Sequence, residues 1–121
     1  MRRRSYKQLV VASEGNSHHN VYVILLDSKA AREHRALEVN PKRDPAKPCV
    51  YVGMTGLKPE ERFQNHKSGV KSASIVKKYG LRLMPELYAC FNPMPYHAAL
   101  EMEKDLAEDL RAQGYTVFGG T

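Results

Sequence analysis

Val21-Tyr22-Val23-Ile24-Leu25-Leu26 is an unbroken apolar run with β-branched and aromatic content, and its reading decides the fold. Six consecutive apolar residues are too few for an ordinary helix and suit a central strand. A second run, Cys49-Val50-Tyr51-Val52, has the same character, and Gly53-Met54-Thr55-Gly56 after it reads as a turn. Between the two, Asp27-Ser28 offers an N-cap for a short helix over 29–37, and 40–48 holds three prolines without periodicity. Two strands so separated are expected to pair as an antiparallel hairpin with an elaborated tip.

Beyond Gly56 the pattern turns helical. Pro59 suits the first turn of a helix, Glu60 and Glu61 follow where the helix dipole favours acids, and Gly69 stops it after Ser68. A second helical segment over 72–79 is closed by Gly80. The stretch 81–91 contains a third strand, broken or bent at Pro85. Pro95 begins the last helix, which ends at Gly114, and 115–118 offers a short terminal strand. Residues 1–20 are polar and basic and read as a loosely held arm before a single domain over 21–121. The order is ββααβα, an α/β (α+β) layer with helices on a mostly antiparallel sheet.

A chain of 121 residues has room for one domain with one modest core. Its 42% hydrophobic and 26% charged residues are ordinary for a globular protein. Nineteen lysines and arginines against thirteen acids give a formal charge of +6, which points to a polyanionic partner. Cys49 and Cys90 stand far apart, each in or beside an apolar run, and read as buried thiols rather than a disulfide or zinc site. Only Leu9-Val10-Val11-Ala12 follows the basic start, too short for a signal peptide, and no run is long enough for a membrane span. A cytoplasmic location without membrane contact is expected. His18 and His19 are adjacent on a loop and read as solvated rather than as metal ligands.

The last helix carries the sharpest anomaly. At 100° per residue Ala99, Met102, Leu106 and Leu110 form one apolar stripe, with Glu101, Lys104, Asp105, Glu108, Asp109 and Arg111 on the opposite half. Glu103 falls about 40° from the stripe centre by the same geometry. A carboxylate there must be paired, metal-bound or at the floor of a cleft, because burying it alone is costly. Pairing with Arg62 would make it purely architectural. Arg62 and His66, four residues apart, share one face of the first long helix, with Phe63 and Leu57 anchoring another. An arginine can hold a phosphate with parallel hydrogen bonds, and a histidine is a usual general base near neutral pH. Tyr22 and Tyr51 lie inside strands, Tyr51 directly before a glycine where the backbone can approach a ligand. Lys58, Lys67, Lys71, Lys77, Lys78 and Arg82 concentrate positive charge over 58–82, suited to sequence-independent phosphate contacts.

In this order the motifs resemble the GIY-YIG nuclease superfamily. Val21-Tyr22-Val23 resembles its first strand motif with glycine and isoleucine replaced, and Tyr51-Val52-Gly53 its second. Glu61-Arg62-Phe63-Gln64-Asn65-His66 is similar to its arginine helix, and Ala99-Leu100-Glu101-Met102-Glu103 to its glutamate helix. The resemblance spans 21–118; each motif is short, and their order and spacing carry the specificity. It implies a small three-stranded antiparallel sheet flanked by helices and hydrolysis of DNA with one Mg²⁺ or Mn²⁺ ion. Glu103 would hold that ion, Arg62 would bind the phosphate, and Tyr22, Tyr51 or His66 would orient or deprotonate water, with Tyr22 preferred.

Three departures stand beside it. No asparagine follows the glutamate, where the chain reads Gln113-Gly114-Tyr115-Thr116. Met54 replaces a lysine frequent after the second motif, a role that Lys58 could take. The insertion over 27–47 is longer than in the simplest members. The leading expectation is a metal-dependent DNA endonuclease. The alternative is a catalytically weak nucleic-acid-binding domain on the same fold, and a third reading is an interaction module with a structural Arg62–Glu103 pair.

Overall fold

The structure, a computed structural model, describes residues 17–33 and 35–120. The apolar run becomes β1 (Asn20–Leu26), buried on both sides. Asp27 caps a 3₁₀ turn over Ser28–Arg32 by accepting the Lys29 N–H, and a short helix α1 (Arg35–Val39) follows. Next come β2 (Cys49–Thr55), α2 (Pro59–Ser68), α3 (Ser74–Tyr79) and β3 (Gly80–Leu83). Two 3₁₀ turns, Pro85–Leu87 and Ala89–Phe91, lead into α4 (Tyr96–Ala112) and β4 (Thr116–Gly119).

The general α+β class is as expected. The sheet, however, has four strands in the order β3-β1-β2-β4, not three antiparallel ones. β1 pairs antiparallel with β2 and with β3, whereas β2 pairs parallel with β4. The fourth strand arises because α4 carries the chain back across the sheet, packing on β1, β2 and β4. β2 also runs two residues past Gly53, so the expected turn lies inside the strand. The third strand is cut to four residues, since the chain turns away into the 3₁₀ segments at Pro85.

Val21, Val23, Val50, Val52 and Val117 of the sheet join Met102, Leu106 and Leu110 of α4 in one core. Asp105 and Ala107 of α4 are buried too, although Asp105 was expected on the solvent half. A helix covered by the sheet alone would leave that side wet. Here the C-terminal segment crosses it, and Gly120 (φ 80) lies so close on Ala107 that any β-carbon would collide with it. Leu57 is exposed instead of anchored, because it sits in the turn before α2; Phe63 packs partly against the core. Cys49 is buried, while Cys90, in a 3₁₀ turn rather than a strand, is exposed. Of the N-terminal arm, residues 1–16 lie outside the described residues, and His19 is already bridged to Met94. Among the described residues no helix is long and apolar enough to cross a membrane.

Candidate functional site

Strand register sets the first part of the site. Tyr22 stands opposite Gly53 and Ile24 opposite Tyr51, so both tyrosines project from one face as diagonal neighbours. Their rings stack at 6.4 Å between centroids with 29° between planes. Gly53 is the seat of this pair: a β-carbon there would lie 2.5 Å from Cζ and Oη of Tyr22. Closed against that face is His66 from α2, fully buried, its ring 6.0 Å from that of Tyr22 and 5.6 Å from that of Tyr51.

Both nitrogens of His66 are engaged. Nδ1 accepts the backbone N–H of Ala73 at 3.1 Å, and Nε2 lies 2.9 Å from the Tyr22 hydroxyl. A nitrogen that accepts an N–H carries no proton, so the neutral ring holds its proton on Nε2 and donates it to the phenolic oxygen. Burial and the nearby Arg62 cation push the His66 pKa down to about 4, which keeps the ring neutral. Burial, then the neighbouring Tyr51, hold Tyr22 well above the usual phenol range, with Arg62 opposing them and Glu103 adding a further rise. Tyr51 is raised by burial and by Glu103.

Arg62 sits one turn before His66 and faces the loop between α2 and α3. Its guanidinium donates to the carbonyls of Val70 (3.4 Å) and Lys71 (2.9 Å). Lys71 is the one described non-glycine residue with positive φ, at 46°. One helix turn thus fastens three points of the loop over 69–73, through Arg62 at Val70 and Lys71 and through His66 at Ala73.

Glu103 completes the cluster from α4. The side of the helix expected from its position is confirmed: the residue is 8% exposed. Among the described residues it makes no ion pair with Arg62 or any other group, and burial lifts its pKa to about 7. Its charge raises the pKa of both Tyr22 and Tyr51, which places the carboxylate within electrostatic range of the pair. The described residues include no group of three or more metal-ligating side chains. Among the residues expected at the site, Glu103 is the one carboxylate that could hold a hard cation, of the Mg²⁺ or Mn²⁺ kind that takes its other ligands from phosphate and water.

The expected catalytic residues Tyr22, Tyr51, Arg62, His66 and Glu103 therefore converge. The basic residues do so less uniformly. Lys58, Lys67, Lys71, Lys77, Lys78 and Arg82 are all exposed, but Lys67 Nζ donates to the carbonyls of Lys77 and Gly80. Lys78 lies 3.8 Å from Glu33, and Arg82 pairs with Glu86 at 3.6 Å. Lys71 lines a cleft together with Arg62. His18 is exposed, and the His19 ring packs edge-on against Tyr96.

Two parts of the site escaped sequence reading. The Ala73 amide that fixes the His66 tautomer is a backbone group without a sequence signal. Gly53 as a seat for Tyr22 was legible only through strand register. No protein-family model matches this chain, nor does any curated protein or solved structure.

Proposed function

We propose that the protein is a divalent-metal-dependent endonuclease that hydrolyses phosphodiester bonds in DNA. The observation that carries this reading is Glu103, a nearly buried carboxylate without a partner among the described residues, within electrostatic range of a tyrosine that is hydrogen-bonded to a neutral histidine and acted on by a guanidinium. A buried carboxylate left unpaired is uncommon and calls for an explanation, and this set matches what phosphodiester hydrolysis requires.

A divalent cation on Glu103 would polarise the phosphate and offset charge on the leaving oxygen. Arg62 donates to two loop carbonyls and acts on the Tyr22 hydroxyl as well, and an N–H left by these partners would donate to a phosphate oxygen. His66 has no free lone pair, which removes it as the base and makes it the group that positions Tyr22. Tyr22 would be the base: burial is the main effect that raises its pKa, Arg62 already opposes it, and a cation neutralising Glu103 would remove a further, smaller rise. The phenolate would then be met by the Nε2–H of His66 and by Arg62. Tyr51 packs beside it and excludes water.

The test is nicking of supercoiled plasmid with Mg²⁺, Mn²⁺ or EDTA, comparing wild type with Glu103→Ala, both checked for folding by circular dichroism. Metal-dependent nicking absent from the folded variant is the expected result. DNA binding without nicking by wild type would replace the enzyme with a binding domain on the same fold.

A further inference from the structure

Arg62 also lines a cleft of about 340 Å³, together with Thr55, Leu57, Asn65, Val70 and Lys71. Two of these are large apolar side chains in water: Leu57 is 42% and Val70 53% exposed. Neither is a loose surface residue. Leu57 donates its N–H to the Thr55 hydroxyl at 3.0 Å, and its carbonyl accepts from Asn20 at 3.0 Å. Val70 donates its N–H to the Asn65 carbonyl at 2.9 Å, and its carbonyl accepts from Arg62. Each backbone is pinned on both sides, so the apolar walls are held in place before any ligand arrives.

The same cleft is lined by Asn65, one turn of α2 from Arg62. Its amide has no partner among the described residues, and it offers a donor pair and an acceptor at one planar end. Apolar side chains, an amide able to pair with a base edge, and a guanidinium able to bind phosphate, all lining one cleft, together suit one unstacked nucleotide. An amide reads the pairing edge only of a base that is not already paired.

We infer that this cleft holds an unpaired nucleotide next to the phosphate gripped by Arg62, so that the preferred substrate is DNA with a single-stranded or extrahelical nucleotide at the cut. The inference rests on the nuclease reading only for the phosphate at Arg62; the cleft itself is a binding site that can be probed without cutting.

The experiment measures fluorescence anisotropy in EDTA for two labelled DNAs, a fully paired duplex and the same duplex with a short unpaired stretch carrying 2-aminopurine. Wild type, Asn65→Ala and Leu57→Ser are compared, each checked for folding by circular dichroism. Wild type should bind the interrupted duplex tighter by about tenfold, the worth of one good base contact. The 2-aminopurine emission should change on binding, and both variants should lose preference and emission change while keeping affinity for paired duplex. Equal affinity of wild type for the two DNAs, or a preference that survives both substitutions, overturns the cleft assignment. A preference with no plasmid nicking would uphold the cleft and sink the nuclease. Absence of binding to either DNA would overturn both.

Discussion

The Tyr22 ring lies across the α-carbon of Gly53 on the neighbouring strand, where a β-carbon would come within 2.5 Å of Cζ and Oη. The hydroxyl that meets His66 is thus placed by a missing side chain. Gly53→Ala should displace the ring, destabilise the protein by about 1–3 kcal/mol as overpacking does, and abolish nicking. Urea unfolding checks the first effect. In a Tyr22→Leu background the same alanine should cost almost nothing, because the collision is with the phenol.

Tyr22→Phe removes the base and keeps the ring. Nicking should fall by about 10²–10⁴-fold, the usual worth of a positioned proton-transfer group. DNA affinity in EDTA should not change. Loss of binding together with loss of cutting would mean that Tyr22 serves architecture instead.

Opposed protonation equilibria make a further prediction. His66 is depressed to about 4 in the folded state, from 6.5, so its contribution is complete above pH 6.5 and lost as pH falls through 4. Glu103 is raised to about 7 from 4.5, so its contribution is complete below pH 4.5 and lost as pH rises through 7. The two effects are similar in size and opposite in sign. Between pH 4.5 and 6.5 the two nearly cancel, and metal-free wild type should show a flat stability profile. Glu103→Gln should uncover stability that rises with pH across that window, and His66→Gln stability that falls. Urea midpoints against pH test this; parallel profiles for all three proteins would contradict the assigned environments.

How much of this was legible beforehand follows from the type of signal. Glu103 could be found because helical periodicity turns a misplaced carboxylate into an angular anomaly. Arg62 and His66 could be found because four residues make one turn. The strand β4 could not be paired from its own residues, since nothing in Thr116–Gly119 says that its partner is β2 or that the pairing is parallel. Asn40 is the clearest omission. Read as the start of a loop, it is 2% exposed, donates to the carbonyls of Ala36 and Val117, and accepts from Val117 N–H and Arg111. A polar residue ahead of a proline looks like a turn whether or not it is sealed against a strand 77 residues away.

Arg62→Lys keeps the charge and loses the fork. A lysine cannot reach the carbonyls of Val70 and Lys71 and also grip a phosphate with two donors. Nicking should drop by about 10²-fold or more, as when one preorganised donor is removed. The salt dependence of DNA binding should keep its slope, because the number of phosphates neutralised is the same. A changed slope with unchanged nicking would place Arg62 outside the reaction.

The hydrogen bond from the Ala73 amide to Nδ1 of His66 has a spectroscopic consequence. That amide proton exchanges with solvent only when the imidazole leaves its seat or takes up a proton of its own. In a ¹⁵N-labelled sample its single cross-peak would follow the protonation and seating of a buried ring that no solvent probe can touch. The backbone thus carries its own reporter of the site, readable without substrate, metal or substitution.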